Sequence, residues 1–134
     1  MKTTIKDLNG RDVDLVYDII TSRPEIYGKV TPQDMMHPHF FGVYNDEDKL
    51  VAFYGVSYWY NRERILCYVW VSPECRKRGI FNKIINRVKT EYPKDQIGIW
   101  AASKNLLANE IYSKKFDCMG YDPDSDANYY GIHY

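Results

Sequence analysis

The chain has 134 residues, enough for one domain with a single core, so we predict one domain over residues 1–134. Eighteen Lys and Arg residues balance eighteen Asp and Glu residues, and the formal net charge is zero. That balance argues against broad nonspecific nucleic-acid binding, which needs an excess of basic residues. No apolar run approaches the roughly 20 residues that cross a bilayer, so we expect no membrane association.

The three cysteines, Cys67, Cys75 and Cys118, are odd in number and fit no zinc-binding spacing. We therefore expect no metal site, reduced thiols and a cytoplasmic location, because the N-terminus also lacks a signal-peptide core. Cys75 falls within a basic loop, where a thiol can become reactive, but a passive loop position is the simpler interpretation.

The N-terminal part of the chain predicts one strand and two helices. Thr3–Leu8 has the pattern of a short strand. Val13–Ile20 has apolar residues at helical spacing, with Asp12 as the predicted N-cap and Pro24 beyond the predicted end. Thr31-Pro32 is typical of a second helix start, because proline fits the first helical position.

Three strands separated by turn residues are predicted next, and they form two hairpins. They are Phe40–Tyr44, Leu50–Trp59 and Ile65–Val71, with turns at Asn45–Asp48 and at Asn61. Strands joined by such short connections pair antiparallel.

The remaining chain predicts two helices and three strands. In chain order they are a helix from Gly79 to Glu91, a strand Gln96–Ala101, a helix Leu106–Lys115, and short strands Met119–Asp122 and Tyr129–Tyr134. The predicted fold class is therefore α/β, a mixed sheet of six or seven strands flanked by about four helices.

A basic, glycine-containing loop joins the apolar strand Ile65–Val71 to the helix that begins after Gly79. The first amides of a helix lack internal partners, and the helix dipole adds partial positive charge there. Arg76, Lys77 and Arg78 add formal charge, and Gly79 lets a ligand approach the backbone closely. Strand, basic loop and helix in this order indicate a phosphate-binding site, although an exposed basic turn is the simpler alternative.

This segment resembles motif A of the GNAT acyltransferase superfamily, which is Arg/Gln-x-x-Gly-x-Gly/Ala after a strand that ends in Val-x-Pro. It reads Arg76-Lys77-Arg78-Gly79-Ile80-Phe81 here, with Phe81 in place of the last small residue. The order of elements is also similar from end to end, which implies a GNAT-like sheet splayed at its central βαβ unit, with coenzyme A in the gap.

The resemblance also implies which residues bind acetyl-CoA, the co-substrate. Backbone amides of the loop and first helical turn would hold its pyrophosphate, and the strand end would bind pantetheine and contact the thioester carbonyl through the amides of Trp70 and Val71. The predicted cofactor-binding residues are Val69, Trp70, Val71, Arg76, Lys77, Arg78, Gly79, Ile80, Phe81, Asn82, Asn105 and Asn109.

The family's second landmark, Asn-x-x-Ala-x-x-x-Tyr followed by Gly-Phe, fits this chain in two registers. The first has Asn105, Ala108 and Tyr112, which match every letter, but it lacks Gly-Phe. The second has Asn109 and Phe116, with Gly120-Tyr121 in place of Gly-Phe. The family's tyrosine is proposed to protonate the departing thiolate, so Tyr112 is our predicted catalytic residue. In the second register Phe116 takes the place of this tyrosine, and it cannot donate a proton. A simpler alternative is that Tyr112 and Phe116 only pack in the core on one face of the helix.

Acyl transfer to an amine needs a neutral nucleophile, so a base or a water path must take the proton of the amine. The strand Ile65–Val71 carries no carboxylate and no histidine. Glu63 lies just before it, and His37 and His39 fall in the segment that borders the acceptor site in the family. Lone histidines are more often structural or solvated, and water-mediated deprotonation would need none of the three.

Aromatic residues are concentrated in the segments predicted to wall the acceptor cleft: Tyr27, Tyr58, Trp59, Tyr60, Tyr129 and Tyr130. Such walls suit a planar or apolar acceptor, an exposed base, a peptide or a small amine. The acidic run Asp122–Asp126 either attracts a cationic amine or is a solvated turn. No feature of the sequence chooses among these acceptors.

Together these patterns favour an enzyme, an acetyl-CoA-dependent N-acetyltransferase that moves an acetyl group to an amine of a small molecule, peptide or nucleobase. The main alternative is a CoA-binding module on the same fold with little or no turnover, which the second register and the missing base favour. A domain that binds a nucleic-acid backbone through the basic loop is a third hypothesis, disfavoured by the zero net charge. The oligomeric state, monomer or homodimer, is left open.

Overall fold

The computed structural model describes residues 2–59 and 62–133. Within them the strands are β1 (Thr4–Asp7), β2 (His39–Tyr44), β3 (Leu50–Trp59), β4 (Glu63–Val71), β5 (Gln96–Ala102), β6 (Asp117–Asp122) and β7 (Ala127–His133). The α-helices are α1 (Val13–Thr21), α2 (Pro24–Tyr27), α3 (Ile80–Glu91) and α4 (Leu106–Lys115), and short 3-10 turns cover Gly10–Asp12, Asp34–Met36 and Pro73–Cys75.

The seven strands form one sheet in the order β1-β2-β3-β4-β5-β7-β6. β4 and β5, joined through α3, are the parallel pair, and the other neighbours pair antiparallel. The predicted α/β class is confirmed, with seven strands and four α-helices among the described residues. β6 and β7 begin earlier than predicted, and the predicted turn at Asn61 and the strand end at Tyr134 lie outside the described residues.

Apolar side chains cover both faces of the sheet. Ala52 and Tyr54 belong to the core cluster beneath α3, whereas Phe53 between them belongs to the cluster beneath α1. Since successive strand residues point to opposite faces, α1 and α3 lie on opposite sides of the sheet. The α3 side chains that enter the core recur at helical spacing, as the sequence predicted: Ile80, Ile84, Ile85 and Val88.

In the N-terminal part of the chain one local prediction is confirmed in position and another is wrong. Asp12 occupies the N-cap position of α1 as predicted, but its side chain makes no capping bond; its carboxylate accepts a hydrogen bond of 2.9 Å from the Tyr44 hydroxyl on β2. The second helix begins at Pro24 and ends at Tyr27, whereas the segment after Thr31 forms only a 3-10 turn. Pro24 occupies the first helical turn because proline lacks the amide that would go unpaired there.

No helix in residues 2–59 and 62–133 is long and apolar enough to cross a membrane. α3, for example, has 12 residues, and polar and charged residues separate the apolar residues of its buried face.

We predict that Ile84→Ala lowers the free energy of unfolding by about 2–5 kcal/mol, because it removes buried methylene groups and leaves a cavity. Ile84 is fully buried between α3 and the sheet. The measurement is urea denaturation followed by circular dichroism. Lys89→Ala, an exposed position on the same helix, is the control and should change stability by less than about 0.5 kcal/mol. Equal stabilities of the two variants would contradict this packing.

Candidate active site

β4 and β5 separate at one end of the sheet. They pair only from Glu63 to Leu66 of β4, and the later residues of both strands, 67–71 and 100–102, do not pair with each other. Backbone groups on the facing edges of these segments therefore need other partners. The splay that the sequence resemblance implied is present, and we call the gap between segments 67–71 and 100–102 the splay.

A β-bulge in β4 lies immediately after the last residue that pairs with β5. Gly55 of β3 faces Cys67, but Phe53 faces Trp70, so β4 has one residue more than β3 between these pairs. Tyr68 within the bulge has φ 53°, a left-handed conformation that is uncommon for a bulky residue. Such a bulge bends a strand and increases its twist, which gives the splay a local cause.

Beyond the bulge, the backbone groups of Val69 and Val71 face the splay. The Val69 carbonyl accepts a hydrogen bond of 2.9 Å from the Tyr27 hydroxyl, and the Val71 carbonyl accepts one of 3.0 Å from Nε of Arg76. The amide and the carbonyl of one strand residue point to the same edge, so both valine amides also face the splay. Trp70 lies between these two valines, so its amide and carbonyl point to the opposite edge, toward β3, as does the Ser72 amide that donates to Val51. Of the two amides predicted to contact the thioester, the Val71 amide therefore lies on the open edge.

The basic loop ends in an uncapped helix N-terminus. Gly79 precedes α3 with φ 78° and ψ 11°, and Lys77 also has a positive φ of 63°. No side chain caps the first-turn amides of α3. These amides are aligned with the helix dipole and have no intrahelical partner, so they form a local positive end suited to an anion.

Cationic side chains surround this helix end. Arg76, Lys77 and Arg78 are exposed on the loop. An open cavity of about 500 Å³ lies beside it, lined by Lys2, Thr3, Arg78, Gly79, Ile80 and Lys83. On the side of α4, Nζ of Lys115 donates a 2.9 Å hydrogen bond to Asn82. The local field is therefore positive although the whole chain is neutral.

The first turn of α3 links the basic loop to α4 through Phe81. Ile80 is buried in the core. Phe81 stacks on the ring of Tyr112, with centroids 5.8 Å apart and planes at 18°. Its side chain is thus directed to α4, and the loop amides are not covered by it.

Tyr112 of α4 is enclosed by aromatic rings. Besides Phe81 it contacts Phe116 at 6.0 Å and, edge to face, Tyr130 at 5.6 Å. Burial raises the pKa of Tyr112 well above its usual range, and the nearby hydroxyls of Tyr27 and Tyr130 raise it further. Its hydroxyl donates no hydrogen bond to any residue that the structure describes. Tyr112 is therefore a neutral hydroxyl that can still donate a proton.

The two asparagines of the alternative registers both serve the protein itself. Asn105 caps α4, since its side-chain oxygen accepts from the Ala108 amide at 3.2 Å. The amide group of Asn109 donates to the Ala102 carbonyl at the end of β5, at 2.8 Å. Its oxygen accepts from Tyr130 at 2.7 Å and from Asn128 at 2.9 Å, both on β7. Asn109 thus holds one wall of the splay.

Phe116, the tyrosine position of the second register, lies one turn after Tyr112 and meets Phe81 edge to face at 6.4 Å. Gly120 and Tyr121 of that register lie on β6, the edge strand, and Tyr121 is exposed. Both ring positions therefore adjoin the first turn of α3, and the hydroxyl among them belongs to Tyr112.

The aromatic residues predicted for the acceptor wall do not lie together in the structure. Tyr27 reaches the splay, whereas Tyr130 is buried in the core at 3% exposure. Tyr129 packs on Trp100, with ring centroids 4.7 Å apart. Tyr58 and Trp59 end β3 at the opposite end of the sheet, where β4 still pairs with β5, and Tyr60 lies outside the described residues.

None of the three candidate bases belongs to the segments that form the splay. Glu63 begins β4, roughly 20 Å along the strand from Val69 at ~3.3 Å per residue. His39 Nε2 is hydrogen-bonded to Asp7 on β1 at 2.8 Å, and its ring stacks on Phe41. His37 ends the 3-10 turn after Asp34.

The cysteines are not arranged for chemistry. Cys75 is buried in the core, and burial raises the pKa of Cys67 to about 12, so its thiol stays protonated. Cys118 is exposed on β6. In the described parts of the chain, no three His, Cys, Asp or Glu residues are grouped to hold a metal ion.

The family model described as Acetyltransferase (GNAT) family matches residues 14–117, most of the chain. The chain therefore belongs to the GNAT acetyltransferase family and is an acyltransferase by class. No curated protein matches its sequence significantly.

Solved structures share the fold at low sequence identity. A GNAT-family acetyltransferase from Staphylococcus aureus Mu50 has a TM-score of 0.76 and 17% identity, with 98% of this chain and 99% of that chain covered. A spermidine N-acetyltransferase from Vibrio cholerae, in complex with CoA and spermine, has a TM-score of 0.71 and 13% identity, with coverage of 96% and 92%. N-acetylglutamate synthase from Neisseria gonorrhoeae, with CoA and N-acetylglutamate, has a TM-score of 0.77 and 10% identity, covering 100% of this chain and 36% of that chain.

We predict that Asn109→Ala lowers the free energy of unfolding by roughly 1–3 kcal/mol, because it leaves the Tyr130 hydroxyl without its acceptor and removes one of the two donors to the Ala102 carbonyl. Thermal and urea denaturation measure the effect. Asn105→Ala, which removes only a helix cap, should cost about 1 kcal/mol and is the matched comparison. Adding Tyr130→Phe to Asn109→Ala should cost less than the sum of the single changes. Strict additivity would argue against the bridge.

Proposed function

We propose that this acyltransferase uses acetyl-CoA and transfers the acetyl group to an amine. The observation that carries the proposal is the splay with an uncapped, cation-rich helix N-terminus at its open end. An extended thioester with a pyrophosphate needs these two features, a strand edge and an anion site, one beside the other.

The residues present fit coenzyme A. Its pyrophosphate would bind the amides of residues 78–82, near Arg76 and Lys77. The space in front of Gly79 is open, since a Cβ placed there would have no protein atom within 4 Å. The pyrophosphate can therefore approach the backbone at this position. Pantetheine amides would pair with the open edge at Val69 and Val71, as an added short strand does.

The reaction joins the amine nitrogen to the acetyl carbon and breaks the bond from that carbon to sulfur. The amide of Val71, on the open edge, would donate to the thioester oxygen as negative charge develops there. Tyr112 would transfer its hydroxyl proton to the departing thiolate. The attacking amine gives up its proton to water, because β4 carries no histidine and its single carboxylate is Glu63 at the far end.

The burial of Tyr112 supports the role of acid. Its raised pKa keeps the hydroxyl protonated at neutral pH and beyond the ordinary tyrosine value of about 10. The acid form is therefore available throughout the range in which amines become neutral.

The acceptor would enter from the face that carries α1 and α2. There Tyr27, Tyr68 and Phe40 form a contiguous set of rings, with Tyr68 and Phe40 stacked at 5.9 Å. This lining supports an amine with an apolar or planar part, on a small molecule, a peptide or a nucleobase. Mass spectrometry of the purified protein would identify a retained CoA thioester, and an amine-library assay would identify the acceptor.

For the donor site, we predict that Gly79→Val reduces CoA affinity at least tenfold while the protein stays folded. The added side chain would stand in front of the first-turn amides without clashing with protein atoms, and φ 78° strains the backbone further. Calorimetry with CoA measures the change. Gly120→Val, also at positive φ with open space around it, is the control and should bind normally. Should Gly79→Val be too unstable, Gly79→Ala serves; unchanged affinity in either would refute the assignment.

For the chemical step, we predict that Tyr112→Phe lowers turnover about 10²–10⁴-fold with little change in CoA affinity, because it removes one hydroxyl and preserves the ring packing. Turnover is measured under conditions where chemistry limits the rate. Phe116→Tyr should not restore activity in this variant. Equal turnover of wild type and Tyr112→Phe would remove Tyr112 from the mechanism, and absence of turnover in both would favour a CoA-binding module.

A further inference from the structure

The edge of β4 that a donor would need is already used by a side chain of α2. The Tyr27 hydroxyl donates to the Val69 carbonyl at 2.9 Å, across the open side of the splay. That carbonyl has no partner on β5, because the pairing of β4 with β5 ends at Leu66. The Tyr27 hydroxyl thus donates the hydrogen bond that a backbone amide of an added strand would otherwise donate to Val69.

The side chain of Tyr27 attaches α2 to β4. The helix has four residues, of which Pro24, Glu25 and Ile26 are exposed, and it packs against α1 and β5. Tyr27 is half-buried, and its ring meets Tyr68 at 6.1 Å. An element with so few buried contacts separates from the sheet at low cost.

A buried polar group in the same region lacks a hydrogen-bond partner. The indole Nε1 of Trp70 is buried and has no hydrogen-bond partner among the described residues. Trp70 and Tyr27 pack against one apolar cluster, beneath α1 and α2. A buried donor without an acceptor is uncommon in a native core, so the apolar cluster that Tyr27 packs against contains an unsatisfied polar group.

We propose that Tyr27 is a latch that occupies the pantetheine edge of β4 and must be displaced when the CoA thioester binds. The proposal rests on the proposed function, in which a pantetheine amide donates to the Val69 carbonyl. The Tyr27 hydroxyl lies where the amide of a strand-like pantetheine would donate to this carbonyl, so donor binding and the Tyr27 contact exclude each other. Because α2 also borders the face where the acceptor enters, displacement couples donor binding to the shape of the acceptor side.

The latch lowers donor affinity by a measurable factor. When only a fraction of molecules has the edge free, the apparent dissociation constant is the intrinsic constant divided by that fraction. Removing the hydroxyl of Tyr27 raises the fraction and strengthens donor binding. A ligand that lacks pantetheine does not use the edge and should be insensitive to the change.

The test compares Tyr27→Phe with wild type by calorimetry, using CoA and adenosine 3′,5′-bisphosphate. We expect Tyr27→Phe to bind CoA roughly three- to tenfold more tightly, with unchanged affinity for the bisphosphate. Tyr68→Phe is the matched control, because it removes a neighbouring hydroxyl that does not reach Val69, and it should bind both ligands like wild type.

Equal or weaker CoA binding by Tyr27→Phe overturns the latch, since a weaker complex would mean that Tyr27 contacts the bound donor. A parallel gain in bisphosphate affinity also overturns it, because the effect would not involve the pantetheine edge. These outcomes require that wild type binds CoA. If wild type binds no CoA, the proposed function fails and the latch fails with it.

Discussion

The end of hydrogen bonding between β4 and β5 after Leu66 is the constraint on which the rest of the candidate site depends. A continuous sheet uses its backbone amides and carbonyls between strands and leaves no edge for a ligand in its middle. The bulge at Tyr68 adds one residue to β4 relative to β3, directly after the last residue that pairs with β5. β4 therefore stays paired with β3 while it separates from β5. The loop after β4 then places the N-terminus of α3 beside the open edge.

Separating two strands exposes polar groups, and side chains compensate on both walls. On β4, Tyr27 and Arg76 donate to the carbonyls of Val69 and Val71. On β5, Asn109 donates to the carbonyl of Ala102 and anchors itself to β7. Each wall therefore has side-chain donors for the backbone carbonyls that the separation leaves unpaired. Such an arrangement keeps the gap intact while its β4 edge exchanges one hydrogen-bond donor for another.

The chemistry follows from what the surroundings do to one hydroxyl. Phe81, Phe116 and Tyr130 pack around Tyr112 and limit its contact with water, so ionisation is disfavoured and its pKa is raised. A hydroxyl in this state stays protonated, so it has a proton to donate and cannot serve as a base at neutral pH. Because β4 offers no histidine, and its one carboxylate is remote, the proposed division of labour gives the acid step to the protein and the base step to water.

Local pattern was enough to predict the α/β class, the bounds of α4 and β3, the buried stripe of α3 and the helix start after Gly79, because periodicity and turn chemistry act between near neighbours. It failed where the partner is remote. The side chain of Asp12, at the predicted N-cap position, bonds to Tyr44 and makes no capping bond, and Tyr27 finds its acceptor 42 residues away on β4. The bulge depends on the register between two strands, which no single segment encodes. Tertiary structure alone decided these contacts, since only folding brings a distant donor to a backbone group that the sheet leaves unpaired.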